Sequence, residues 1–153
     1  MRAVVQRCAG ASCSVDGSRV GSIRSGLVAF VGIRRDDSEH EVKRLSRKLC
    51  GLRVFPDERG RMNRSVRDAG GGVLLIPQFT VYGECGSGYR PSFHEAMQPA
   101  AARGLFECLA HEIAVELGQV QTGIFGAFMR VEVTNDGPVT VILDLEPNSK
   151  DIS

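Results

Sequence analysis

The run from Gly26 to Ile33, GLVAFVGI, contains no polar side chain. A half-buried strand alternates apolar and polar residues, so an unbroken run of this length reads as a strand buried on both faces. Apolar partners must then cover it from two sides, and the rest of the chain has to supply them. The opening MRAVVQRCA alternates in the manner of a half-buried strand, and a second short strand, ASCSV, leads to Asp16-Gly17 and on to Arg19–Ile23. Asp-Gly between two such segments is a strong hairpin signal. Ser38 or Asp37 can cap a helix running to about Cys50, with Val42, Leu45 and Leu49 on one face and Gly51 as its stop.

A short strand, LRVF, precedes the turn Pro56–Gly60, and Met62 to Ala69 has no clear period. VLLIPQFTVY is strand-like but holds Pro77, which cannot donate to a ladder and so marks an end, an edge or a bulge. The clearest helix starts near Pro99: Ala102, Leu105, Phe106, Leu109, Ile113 and Leu117 form one stripe, and Gly118 ends it. Two closing strands, Phe128 to Thr134 and Val139 to Leu145, flank Asn135-Asp136-Gly137-Pro138. About seven strands and two main helices, mostly hairpin-connected, give a single α+β domain with a mostly antiparallel or mixed, barrel-like sheet over residues 1–146. A flexible tail is expected over 147–153.

At 153 residues there is little room for a second core. Net charge is +1, too small for a general attraction to polyanions, but it is unevenly spread. Arg34 to Arg67 holds eleven Lys or Arg against six Asp or Glu, and Arg130 to Ser153 holds two against five. The basic segment could meet phosphates, although a solvated helix face is the commoner reason for such a cluster. The five cysteines are odd in number and scattered, which argues against a disulfide framework and against a zinc site. With no signal-peptide layout at the N-terminus and no apolar run near the length of a membrane span, the expected setting is a reducing cytoplasm.

Few catalytic tokens stand out. There is no G-x-S-x-G, P-loop, G-x-G-x-x-G or H-E-x-x-H. His40 and His111 fall on expected helices, where exposure accounts for them; His94 follows Arg90-Pro91-Ser92-Phe93 in a candidate site loop, but one imidazole does not define a site. Two segments are odd. Pro77-Gln78-Phe79-Thr80 interrupts a buried strand with polar residues, either as a β-bulge or as distorted backbone whose freed amides hold an oxyanion. Gly137-Pro138 is either a tight turn, open to a cis bond, or a rigid backbone wedge facing a small substrate.

Taken together and in order, MRAVVQR, PQFT, RPSF and FGAFMRVEVTNDGPVT resemble the D-aminoacyl-tRNA deacylase family over nearly the whole chain. That family carries a Ser-Gln-Phe-Thr segment and an Asn-x-Gly-Pro-Val-Thr segment, matched here by Pro77–Thr80 and Asn135–Thr140. The resemblance implies a homodimer with active sites at the interface, hydrolysing the ester of D-aminoacyl-tRNA without metal or cofactor. It implies that Gln78, Phe79 and Thr80, edged by Pro77, line the pocket for the terminal adenosine and its amino acid. Gly137 and Pro138 of the opposite subunit would enter as a cis dipeptide, with Arg7 bracing it, Met129 packing beside it and Arg90 offering a phosphate-facing charge.

An L-residue would drive its side chain into that backbone and a D-residue would not, so glycyl-tRNA should also be cleaved. Thr80 has no evident base to activate it, which favours a water assisted by the ribose 2′-hydroxyl, with the Phe79 and Thr80 amides holding the oxyanion. Pro77 replaces the family's serine and matches a sister family that clears L-alanine from mischarged tRNA. Ser87 stands where the family commonly has lysine. A non-catalytic nucleic-acid-binding protein and a purely structural oligomer are the competing readings.

Overall fold

The computed structural model describes residues 1–86 and 88–147. Ser87, and the expected tail from residue 148 onward, lie outside the described residues. Among those described, eight strands and two α-helices form a single layered unit. Strand β1 (Arg2–Val15) is continuous where two strands were expected. It turns through Asp16 and Gly17, both at positive φ, into β2 (Ser18–Ile23), as the Asp-Gly signal requires. Strand β3 (Gly26–Gly32) follows, antiparallel to the first half of β1, while β2 pairs with its second half.

Helix α1 (Glu39–Gly51) begins at Ser38 with a complete capping box. Ser38 accepts from the first turn and the Glu41 carboxylate accepts from the Ser38 amide at 2.9 Å. Such a cap contributes about 1 kcal/mol. The small ribbon β4 (Phe55–Pro56) and β5 (Met62–Arg64) precedes β6 (Gly72–Pro77). Helix α2 (Pro99–Leu117) has proline in its first turn and ends at Gly118, at φ 82°. Strands β7 (Gln121–Thr122) and β8 (Arg130–Asp144) complete the chain.

β6 lies parallel to β3, and β7 parallel to β6. These connections pass through α1 and α2, so the chain is less hairpin-connected than the sequence suggested. The resulting sheet is mixed and curls until β2 approaches β7; the Ser22 amide reaches the Gln121 side chain at 3.3 Å. The sheet is therefore barrel-like but not closed by a ladder.

Strand β3 is covered on both faces. Leu27, Ala29 and Val31 join the helices' core with Leu45, Leu49, Phe106 and Leu109, while Val28 joins a second core with Cys8, Cys13, Leu74 and Ile76 inside the curl. This is the double burial that the run of apolar residues demanded.

One sequence expectation is corrected here. The last two strands are one strand, β8, antiparallel to β1 along its whole length, and Asn135–Pro138 is not a hairpin turn. Gln6 pairs with Thr140 and Cys8 with Asn135, so Asp136, Gly137, Pro138 and Val139 stand opposite Arg7 alone. Asn-Asp-Gly-Pro is ordinary turn chemistry, but here the ladder resumes on the same partner and the extra residues are extruded as a wide bulge.

Candidate functional site

β6 ends at Pro77 because proline has no N–H to continue the ladder. The chain turns at once into a 3-10 turn, Phe79–Tyr82, so Thr80 does not sit on a sheet face. Four contacts fix this turn. The Gln78 amide donates to the Val31 carbonyl at 2.8 Å, and the Gly83 amide to the Thr80 carbonyl at 2.9 Å. Arg2 donates to the Val81 carbonyl at 3.0 Å while paired with Asp144 at 2.6 Å, and its guanidinium lies 4.8 Å from the centre of the buried Tyr82 ring. Burial raises the Tyr82 hydroxyl well above the ordinary phenol range. Gly32 is required beneath the turn, since a Cβ there would run into Val81 and Tyr82.

A helical turn leaves its first amides without internal partners. The Phe79 and Thr80 N–H groups occupy that position, and among the described residues no carbonyl accepts from them. Two cavities open beside Phe79. One, of about 330 Å³, is mainly apolar and runs from Gln78 and Phe79 past Phe93, Met97 and Pro99 to Phe125. The other, of about 270 Å³, is bounded by Pro77, Gln78, Phe79, Phe128 and Met129. Phe79, 57% exposed, forms the wall between them and meets Phe93 edge-on, ring centres 5.1 Å apart. The Thr80 hydroxyl accepts from the Gln78 amide side chain. An amide is no base, and no histidine, lysine or carboxylate touches Thr80 among the described residues.

The structure thus brings Pro77, Gln78, Phe79, Thr80 and Met129 together. It places Arg7, Gly137 and Pro138 elsewhere. Gly137 and Pro138, joined by a cis peptide, are exposed and border neither cavity of their own chain. Arg7, only 12% exposed, braces the bulge, donating to the Asp136 carbonyl at 3.0 Å and to the Val54 carbonyl at 2.5 Å. Asn135 closes the neck of the bulge. Its Oδ1 accepts from the Val139 amide at 2.8 Å and its Nδ2 donates to the Val139 carbonyl at 3.3 Å. Arg90 lies on an exposed loop and borders neither cavity.

Sequence reasoning missed Met97, Pro99, Ala102 and Phe125 as cavity walls. They lie at the start of α2 and in the segment after β7, and no local pattern announces that these meet Phe79. On the same loop as Arg90, Glu84, His94 and Glu95 bring their ligand atoms within 4.8 Å of one another. Glu95 is paired with Arg34 at 3.2 Å and His94 Nδ1 faces Ser92 Oγ at 3.1 Å, so these groups already satisfy one another.

Comparison with known proteins is consistent across sequence and structure. The family described as D-Tyr-tRNA(Tyr) deacylase matches residues 4–144. The protein named D-aminoacyl-tRNA deacylase of Syntrophobacter fumaroxidans is 47% identical over 144 residues, covering 94% of this chain and 97% of its own. That of Carboxydothermus hydrogenoformans is 49% identical, covering 95% and 100%. A solved structure described as c-Myc DNA Unwinding Element Binding Protein superposes with a TM-score of 0.89 at 36% identity, over 95% of this chain and 99% of that one. A probable eukaryotic D-amino acid tRNA deacylase has a TM-score of 0.82 at 16% identity over 94% and 98%, a likeness of fold alone.

Proposed function

Since the chain belongs to the D-Tyr-tRNA(Tyr) deacylase family, we propose that its Phe79–Thr80 turn is the place where the ester of D-aminoacyl-tRNA is hydrolysed. The enzyme is a D-aminoacyl-tRNA deacylase, an ester hydrolase. One observation carries the assignment to this turn: two adjacent amides are unpartnered, and Phe79, which bears the first of them, lines both cavities. The larger, apolar cavity with its phenyl rings suits the terminal adenosine, and the smaller suits the amino acid.

The ester carbonyl sits between the two cavities, beside Phe79. Water, oriented by the ribose 2′-hydroxyl, adds to the carbonyl carbon, and the Phe79 and Thr80 amides receive the charge that forms on oxygen. Each such donor is worth about 3 kcal/mol in the transition state. The intermediate collapses by breaking the bond to the ribose 3′-oxygen, which takes up a proton, leaving free amino acid and tRNA. Thr80, held by Gln78 and without a base, positions the turn and is not the nucleophile.

Chirality is read by a second copy of the chain. Gly137 and Pro138 protrude from their own molecule, and the outer edge of β8 pairs with no strand among the described residues. Ile142 on that strand is 65% exposed and Phe128 beside the cavity is 83% exposed. A homodimer covers these groups and brings the dipeptide of each subunit to the other's cleft. Its carbonyls then obstruct an L side chain and admit a D side chain or glycine. The cytoplasm, where charged tRNA is used, is the setting this reading requires. Pro77 removes a donor from the edge of the amino-acid cavity and bears on the range of side chains accepted, L-alanine included.

The test is deacylation of D-alanyl, L-alanyl and glycyl esters on one tRNA. The D and glycyl esters are lost and the L ester survives. Equal cleavage of D and L esters overturns the proposal. Salt-dependent binding of uncharged duplex with no ester loss would instead support the nucleic-acid-binding reading, which the relative named for a DNA element brings to mind.

A further inference from the structure

The guanidinium that braces the bulge also holds the root of the β4–β5 ribbon, since Arg7 donates both to Asp136 and to Val54. The root of the ribbon and the neck of the Gly137-Pro138 protrusion are therefore tied to one side chain. At the ribbon's tip, residues 57–60, Gly60 adopts φ 75° and the Asp57 carboxylate accepts from the Arg59 amide at 2.9 Å, the Arg61 amide at 3.0 Å and Asn63 Nδ2 at 3.3 Å. Of the two acidic groups at the tip, Asp57 is thus engaged with backbone, while Glu58 is exposed beside Arg59. The two basic groups are not engaged: among the described residues, the Arg59 and Arg61 side chains have no hydrogen-bond or ion-pair partner. Other arginines near the ribbon are tied down, Arg53 to Asn63, Arg64 to the Asp68 carbonyl and Arg67 to Glu116.

We propose that Arg59 and Arg61 of one subunit grip phosphates on the 3′ strand of the tRNA whose charged end lies in the other subunit's cleft. This rests on the reading that Gly137 and Pro138 act across a dimer. A protrusion that enters the neighbouring cleft carries its attached ribbon to the mouth of that cleft. From Val54 to Arg59 the ribbon reaches at most about 17 Å. Stacked strands present one phosphate per roughly 3.4 Å, so the reach spans the first few phosphates beyond the terminal adenosine. Two free guanidiniums on an exposed turn, in a chain of net charge +1, offer local charge to a backbone rather than a rigid frame for reading bases.

The experiment compares wild type with Arg59→Ala/Arg61→Ala on full-length D-alanyl-tRNA and on D-alanyl-adenosine, which carries no phosphate strand. On tRNA, KM rises on the order of tenfold at moderate salt, kcat holds, and the plot of log KM against log salt becomes shallower by about 2. The adenosine ester is cleaved as by wild type, and Arg59→Lys/Arg61→Lys restores most of the tRNA effect. Mixed dimers locate the contact. A subunit with the alanine pair, combined with one inactivated by Phe79→Pro, shows normal KM, because its working cleft meets an unaltered ribbon. Both changes on one subunit, with wild type as partner, give the raised KM. An unchanged KM on tRNA, or equal losses on both substrates, overturns the proposal, and the reverse pattern in the mixed dimers overturns its cross-subunit form. Failure of wild type to cleave either D ester would remove the deacylase reading and the ribbon's role with it.

Discussion

The turn at Phe79–Tyr82 and the bulge at Asp136–Pro138 are both departures from a strand, yet they solve opposite problems. The turn is concave. Proline stops β6, a 3-10 turn frees two amides, and apolar walls gather around them. The bulge is convex. The ladder continues on both sides, Asn135 closes the neck, Arg7 fills the space behind, and the dipeptide is pushed into solvent. A site that only hydrolyses can be built from the first feature alone, because an oxyanion hole is indifferent to handedness. Discrimination needs a rigid object in front of the substrate, and neither cavity contains one from its own chain. On the proposed function, chemistry and selectivity are held by separate devices, which substitutions should separate.

The largest effect is expected at the turn. Phe79 opens the 3-10 turn, where proline is tolerated, and its amide makes no internal bond. Phe79→Pro should lower the rate on D esters by about 10² to 10³ relative to Phe79→Ala while leaving the D/L ratio intact. A similar rate for the two variants, in single-turnover assays, would remove that amide from the mechanism. Next comes Gly137→Ala. A Cβ there lies 2.8 Å from Val139 and 3.0 Å from Arg7 at φ +137°, so the dipeptide must shift. The expected result is a D/L ratio reduced on the order of 10², with a folded protein by melting. If instead both esters slow equally, the division of labour is wrong.

Arg7→Lys keeps the charge but loses the rigid fork whose Nε and Nη1 reach the two carbonyls separately. A roughly tenfold loss of selectivity is expected, with little change in D-ester rate. Thr80→Ala should stay within about tenfold of wild type, because the substitution removes a hydroxyl no base activates; abolished turnover would make Thr80 the nucleophile. The smallest effect concerns the ribbon behind the bulge. Backbone amides, that of Arg61 foremost and then that of Arg59, hold the Asp57 carboxyl below its ordinary value. The stabilisation is therefore complete above about pH 4 and lost as pH falls through the lowered value. Asp57→Asn should abolish this pH dependence in the hydrogen exchange of residues 59–61, leaving that of Tyr82 unchanged.

Much of this was legible in the sequence, for reasons that differ by place. β3 was readable because double burial leaves an unbroken apolar run, and α1 and α2 because Ser38, Gly118 and the 3.6-residue stripe are local signals. Pro77 was readable as an end of something. The bulge was not, because Asn-Asp-Gly-Pro spells a turn and only pairing with β1 on both sides shows that the strand resumes. Arg7 and Asn135 entered through the family motif, and their hydrogen bonds give them a physical reason. The apolar walls from α2 and the segment around Phe125 were hidden, since their meeting with Phe79 depends on two crossovers and on no neighbour in sequence.

The resumption of β8 on the same partner after its bulge sets a condition on inheritance. Val131 and Val133 face one core while Val139, Val141 and Leu143 face the other, all on alternate positions of a strand whose two halves are separately registered on β1. Losing or gaining a single codon between Asn135 and Val139 would either turn one half inside out or force the whole strand to slip. Exchanging one amino acid within the extruded segment leaves the register of both halves in place, whatever it does to the shape of the bulge, but the segment's length can change only by steps that preserve alternation.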